Sequence, residues 1–211
     1  MTGFETMLRR AERHLRSSCP HMRRLVKAHG PCGLKLRPDP FQMLVASITS
    51  QQISGAAARS ILGRLENGVG PIGITPSSVR ACGEAELRTF GYSARKASYL
   101  MGLAVEVADG HLDLSGLKDL DDSGVVARLV QLRGIGEWTA HMLLIFSLGR
   151  PDVLPHSDLG VRQAIRGFHG LERLPTKTQV LALAAPWRPF ASVASWYCWR
   201  SLDANPGGKG A

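Results

Sequence analysis

The sequence predicts an all-α fold, on three observations. Apolar residues recur with helical spacing over most of the chain, proline and glycine fall between those stretches, and no convincing run of strand alternation appears. About ten short helices are expected from this pattern. In PFQMLVASITSQQISGAAARSILGRL, Phe41, Leu44, Val45 and Ile48 stand at i, i+3, i+4 and i+7, and Ile61, Leu62 and Leu65 resume an apolar stripe further on. Val126, Leu129 and Val130 mark a helix expected to end around Gln131. Met142, Leu143, Ile145 and Phe146 mark the next, starting near Glu137. Ser157 or Asp158 can N-cap a helix carrying Val161, Ile165 and Phe168. Breaks are expected at PCG (31–33), NGVGPIG (67–73) and GRP (149–151), with a flexible tail over 201–211 that includes NPGGKGA. No internal repeat is visible.

A chain of 211 residues can bury a real core, as one domain or as two lobes sharing a cleft. The net charge of +9 favours a polyanionic partner, nucleic acid first, because basic side chains gain affinity by displacing counterions from phosphates. Arginine greatly outnumbers lysine, as coding bias alone would produce, so charge by itself settles little. The cysteines Cys19, Cys32, Cys82 and Cys198 form no Cys-x-x-Cys pair; neither a zinc knuckle nor an iron–sulfur loop is expected, and the four read as free thiols. No apolar run is long enough to span a bilayer and no cleavable leader stands at the N-terminus, so an intracellular soluble protein is expected.

Three features point to chemistry. In LRGIGEWTAHM (132–142), a Gly-Ile-Gly corner joins two helices; glycine permits positive φ and leaves backbone N–H groups bare at a helix N-terminus, where a phosphate can bind. A plain helix–helix turn would use the same glycines. In DVLPHSDLGVRQAI (152–165), Asp158 follows the corner by one helix and one loop, which would bring its carboxylate near whatever phosphate the hairpin holds; as a helix cap it would be purely structural. Trp138, with Trp187, Trp196, Tyr197 and Trp199 in PWRPFASVASWYCWR (186–200), interleaves aromatics with arginine in a way that suits stacking on bases, though each tryptophan alone is as readily a core residue.

Taken together, LRGIGEWTAHM and LPHSDLGVRQAI resemble the helix-hairpin-helix plus Gly/Pro/Asp signature of the base-excision DNA glycosylases. Trp138 and the W-R-P-x-x-S-x-A-S-W-Y-x-W-R tail, with FQMLVASITSQQISGAAA and GYSARKASYL, resemble the 3-methyladenine DNA glycosylase II branch, from about Pro40 to Arg200. The resemblance implies one helix-hairpin-helix glycosylase domain over residues 1–200 with the active-site cleft between two helical lobes. One lobe would span roughly 40–120, the other the N-terminal segment plus roughly 121–200.

It also implies roles. Asp158 matches the catalytic aspartate. Trp138 and Trp199 match aromatics lining the base pocket, with Met142 in its wall, and Gln52 matches the residue wedged into the duplex where the base has left. Leu132, Arg133, Gly134, Ile135 and Gly136 would bind the DNA backbone. Carbonyls of Val130, Leu132 and Ile135 match those that hold a monovalent cation, Na⁺ or K⁺, in relatives; no catalytic metal and no other cofactor is expected. The implied partner is double-stranded DNA containing alkylated bases, bound by a monomer that engages no membrane and works at the nucleoid of a bacterium or in the nucleus of a eukaryote.

Some positions depart from the family's pattern. Ala191 stands where an arginine is usual, Phe190 lacks a hydroxyl, and Met142 is aromatic in some relatives. One carboxylate suffices for the implied chemistry, because a base alkylated at N3 or N7 is already cationic and departs neutral, so 3-methyladenine and 7-methylguanine are the expected substrates. Glu137, the other acid near the hairpin, reads as a helix-dipole partner. Competing readings are a non-catalytic helix-hairpin-helix DNA-binding module, a glycosylase for other damaged bases, and a glycosylase with lyase activity. The last would need an amine where this chain has Trp138, and the other lysines considered, Lys118 and Lys177, are remote in sequence.

Overall fold

A computed structural model describes residues 3–203. In chain order the α-helices are α1 (Gly3–Ser18), α2 (Pro20–His29), α3 (Pro40–Ser50), α4 (Gly55–Val69), α5 (Pro76–Thr89), α6 (Ala94–Ala108), α7 (Asp122–Leu129), α8 (Glu137–Phe146), α9 (Leu159–His169), α10 (Lys177–Leu183) and α11 (Ala191–Asp203). Three single-turn 3₁₀ segments join them, and no strand occurs among the described residues, as the sequence predicts. None of these helices is long and apolar enough to cross a membrane. The expected tail begins later than 201: α11 continues through Asp203, and the rest of that segment lies outside the described residues.

The helices form two compact units. One is Arg37–Leu148, holding α3 to α8; the other combines the segment ending at Leu36 with the segment starting at Gly149. The expected lobe boundary near residue 120 is therefore misplaced: α7 and α8 belong with α3 to α6. The reason is burial. Every residue of α8 from Thr139 to Ile145 is buried, so this helix needs cover all round, and α3 and α7 pack directly on it. The α3 stripe of Phe41, Leu44, Val45 and Ile48 is buried as expected, but α7 stops at Leu129 and buries Val125 and Leu129, leaving Val130 43% exposed in the turn that follows.

In the other unit α11 packs on α9, α2 and α1. Tyr197 donates from its hydroxyl to the Gly30 carbonyl at 2.8 Å, and the Cys32 N–H donates to Glu12, so side chains from both ends of the sequence close this core. Trp187 is 1% exposed and Tyr197 fully buried; these two are core residues, not stacking platforms. Ala191, at the start of α11, is 2% exposed, and its N–H donates to Asp152 at 3.2 Å, so the position is packed. Phe190 tilts against the His14 ring, with centroids 5.5 Å apart. All four cysteines are free.

Candidate active site

Within Arg37–Leu148, local sequence decides where each helix begins. Asp39, Ser54, Thr75, Ser93 and Asp121 each accept a backbone N–H in the first turn of α3, α4, α5, α6 and α7. Helix α8 differs. Its N-cap is Gly136, which has no side chain to offer, so no N-cap side chain stands at the positive end of the helix dipole.

The two glycines of this corner have different reasons. Gly134 has φ 91°, and a Cβ there would come within 2.2 Å of the Tyr99 ring, so only glycine fits. Gly136 has φ −102° with open space around it; what it contributes is the missing cap. Tyr99 carries two guanidinium groups near its face, Arg95 at 5.5 Å and Arg133 at 5.9 Å from the ring centroid, and Arg95 Nε also donates to the Tyr99 hydroxyl. Both arginines are exposed, which sets positive charge beside the corner. Arg133 is legible in the hairpin motif; Arg95 and Tyr99 stand in GYSARKASYL, and only the fold brings them to the corner.

The turn after α3 is fastened to the same corner. Gln51 donates through Nε2 to the Gly134 carbonyl at 2.9 Å and to Thr139 Oγ1 at 3.1 Å. Lys96 donates through Nζ to the carbonyls of Thr49 at 2.6 Å and Gln51 at 2.7 Å, and burial pushes its pKa down. Gln52, the next residue, takes φ 57° and is exposed, with the half-exposed Ile53 beside it. Lys96 lies in GYSARKASYL, far in sequence from the glycine corner, and the fold brings it to this turn.

Trp138 and Met142 come together on one face of α8. With Phe146 they line a hollow of about 360 Å³ whose other walls include Met43 and Ser47 of α3 and Leu62 of α4. Trp138 is half-buried and Met142 only 5% exposed. Arg37 and Arg59 also line this hollow, both as exposed residues.

The unit holding α9 and α11 contains the other predicted pair. Asp158 is the N-cap of α9, its Oδ1 accepting the Val161 N–H at 2.9 Å, so the capping reading of the sequence is correct. The same oxygen accepts the indole N–H of Trp199 at 2.8 Å. Asp158 and Trp199 are both half-buried. Cys198, the residue before Trp199, is buried, and its thiol is pushed well up by burial and by the Asp158 charge. No cluster of three or more His, Cys, Asp or Glu side chains suited to a metal occurs among the described residues.

Residues 45–189 match the family model described as HhH-GPD superfamily base excision DNA repair protein. The chain is 36% identical over 204 residues to DNA-3-methyladenine glycosylase 1 of Schizosaccharomyces pombe, an alignment spanning 93% of this chain and 88% of that protein. Among solved structures, the 3-methyladenine DNA glycosylase of Schizosaccharomyces pombe in complex with abasic DNA superposes with a TM-score of 0.82 at 34% identity, covering 92% of this chain and 97% of that one. A DNA-3-methyladenine glycosidase from Bacillus halodurans gives a TM-score of 0.77 at 31% identity, covering 94% and 91%.

Proposed function

The chain belongs to the HhH-GPD superfamily of base excision DNA repair proteins, and on that premise we propose that it is a monofunctional DNA glycosylase that removes 3-methyladenine and 7-methylguanine from duplex DNA. The observation that carries this reading is the Asp158 carboxylate, half-buried and oriented by two N–H donors on one oxygen. When the bond between C1′ and a cationic alkylated base breaks, its electron pair leaves with the base, which departs neutral, and the sugar takes on oxocarbenium character. A fixed carboxylate stabilises that charge. Water then adds to C1′ and loses a proton, leaving an abasic site.

The remaining residues serve binding and extraction. The uncapped N-terminus of α8, with Leu132, Arg133, Gly134, Ile135 and Gly136, receives a DNA phosphate. The carbonyls of Val130, Leu132 and Ile135 are the hard oxygen donors that Na⁺ or K⁺ takes. Leu132 already accepts the Ile135 N–H at 3.1 Å and would use its second lone pair, and the ion would add positive charge for the phosphate. Gln52 fills the space the base leaves, and the base enters the hollow beside Trp138 and Met142, whose aromatic and thioether surfaces favour a polarised or cationic ring. The exposed Arg37 and Arg59 suit a phosphate backbone better than a base. The enzyme would act as a monomer, at the nucleoid of a bacterium or in the nucleus of a eukaryote.

Because Asp158 does cap α9, a DNA-binding module without catalysis is the second reading. The variant Asp158→Asn separates the two. An amide oxygen can still accept from Val161 and Trp199, and Asn caps as well as Asp, so the charge alone is removed. Release of methylated purines from duplex DNA should fall by orders of magnitude while DNA affinity holds. Near wild-type release would reduce Asp158 to a cap.

A further inference from the structure

Trp199 matches, by resemblance, an aromatic that lines the base pocket. Its contacts in this chain are more specific. The indole N–H points at Asp158 Oδ1 from 2.8 Å, and the backbone N–H of Val161 reaches the same oxygen from 2.9 Å. Between them lies Gly160. A Cβ there would come within 2.9 Å of Trp199 Cδ1 and 3.1 Å of Asp158 Oδ1, although its φ lies outside the left-handed region and the first turn of a helix accepts alanine readily. The sequence thus keeps a poor helix former where α9 begins, and the space it leaves is occupied by the indole edge.

We infer that Trp199 is a positioning residue for the proposed glycosylase reaction: its N–H, admitted by Gly160, fixes the orientation of the Asp158 carboxylate. This rests on the functional reading above. With donors arriving from two directions, the carboxylate cannot rotate about its Cβ–Cγ bond without losing a charge-assisted hydrogen bond, so its charge is aimed before substrate arrives. A tryptophan that only stacked on the base would need its ring face and not its N–H.

The test uses two duplexes, one with a cationic pyrrolidine in place of the target sugar and one with a neutral tetrahydrofuran. Their affinity ratio reads how well the protein stabilises positive charge on the sugar. In Trp199→Phe, which keeps an aromatic ring and removes the donor, the preference for the cationic analogue should fall about tenfold, the worth of one hydrogen bond to a charged group. Affinity for the neutral analogue should hold, and excision should slow under single-turnover conditions. Gly160→Ala, whose methyl group would crowd the indole edge most closely and Asp158 Oδ1 next while the Trp199 side chain stays in the sequence, should give the same pattern and guards against a misfolded Phe variant. An unchanged ratio in both folded variants overturns the proposal, as does an equal loss of affinity for both analogues, which would mark Trp199 as a stacking or packing residue. Asp158→Asn distinguishes the failures. If it abolishes the cationic preference while the other two variants do not, only the role of Trp199 falls; if it too changes nothing, the glycosylase reading falls with it.

Discussion

Gln52 holds a left-handed backbone conformation, φ 57°, which costs a non-glycine residue about 1–3 kcal/mol. Such a conformation persists only when neighbours enforce it. Here Lys96 ties down the carbonyls on either side of Ser50, and the Gln51 side chain is fastened to Gly134 and Thr139. The exposed Gln52 side chain is therefore presented on a stiff turn, as a wedge requires. Gln52→Ala should slow excision from fully paired duplex far more than from substrates whose target base is already unpaired. Gln52→Gly should show the same kinetic defect together with a higher melting temperature, because glycine relieves the strain. Equal slowing on both substrates would make Gln52 a packing residue. Trp138 is testable by charge. A cation over an indole face gains about 0.5–2 kcal/mol over a neutral ring of the same shape, so Trp138→Leu should lower release of 7-methylguanine relative to a neutral purine lesion. A preserved ratio in a folded, DNA-binding variant would remove Trp138 from the pocket.

The Gly134-Ile135-Gly136 corner and α8 act as one element, and the division of labour between the glycines predicts opposite outcomes. Gly136→Asp would supply the missing N-cap side chain of α8 in open space, stabilising the fold by about a few tenths of a kcal/mol, since glycine is itself a tolerated cap. The same carboxylate would occupy the N–H groups proposed for a phosphate and repel it, so the variant should melt higher and bind DNA more weakly. Gly134→Ala should instead lower the melting temperature, since the methyl group meets the Tyr99 ring and φ 91° strains any L residue. If Gly136→Asp bound DNA as tightly as wild type in a titration at fixed salt, the helix terminus would not be the phosphate site. The expected end of α7 near Gln131 missed by two residues, because Val130 looked like part of the apolar stripe but lies beyond the last buried position, Leu129.

For the molecule as a whole, the division into Arg37–Leu148 and the segments flanking it places Trp138, Gln52 and the glycine corner in one unit and Asp158 with Trp199 in the other. Lysine chemistry also has to be judged at this scale. From the sequence, Trp138 removed the family's amine, with Lys118 and Lys177 remote; the fold brings in Lys96, at the base of the turn that carries Gln52. Burial lowers its pKa, but its Nζ donates to two carbonyls, which favour the ammonium, and an ammonium has no lone pair with which to attack a sugar. Borohydride reduction during turnover should therefore trap no protein–DNA adduct, and the abasic product should remain unnicked. A stoichiometric adduct that disappears in Lys96→Met would overturn the monofunctional assignment and name the amine responsible.

What the sequence by itself determined was local. Helical period, the Pro and Gly breaks, the caps at Asp158 and its counterparts, and the bare glycine before α8 are each decided within a few residues, so they could be read before any tertiary contact was known. The ordered motifs added the family resemblance, because they preserve spacing along the chain. Tertiary structure decided the rest. Gln51 on the Gly134 carbonyl, Lys96 on the end of α3, Tyr99 under the corner and the Trp199 N–H on Asp158 all join residues far apart in sequence. Composition and periodicity state that such polar groups must find partners but not which ones, since many pairings satisfy the same hydrogen-bonding demand and only packing selects among them.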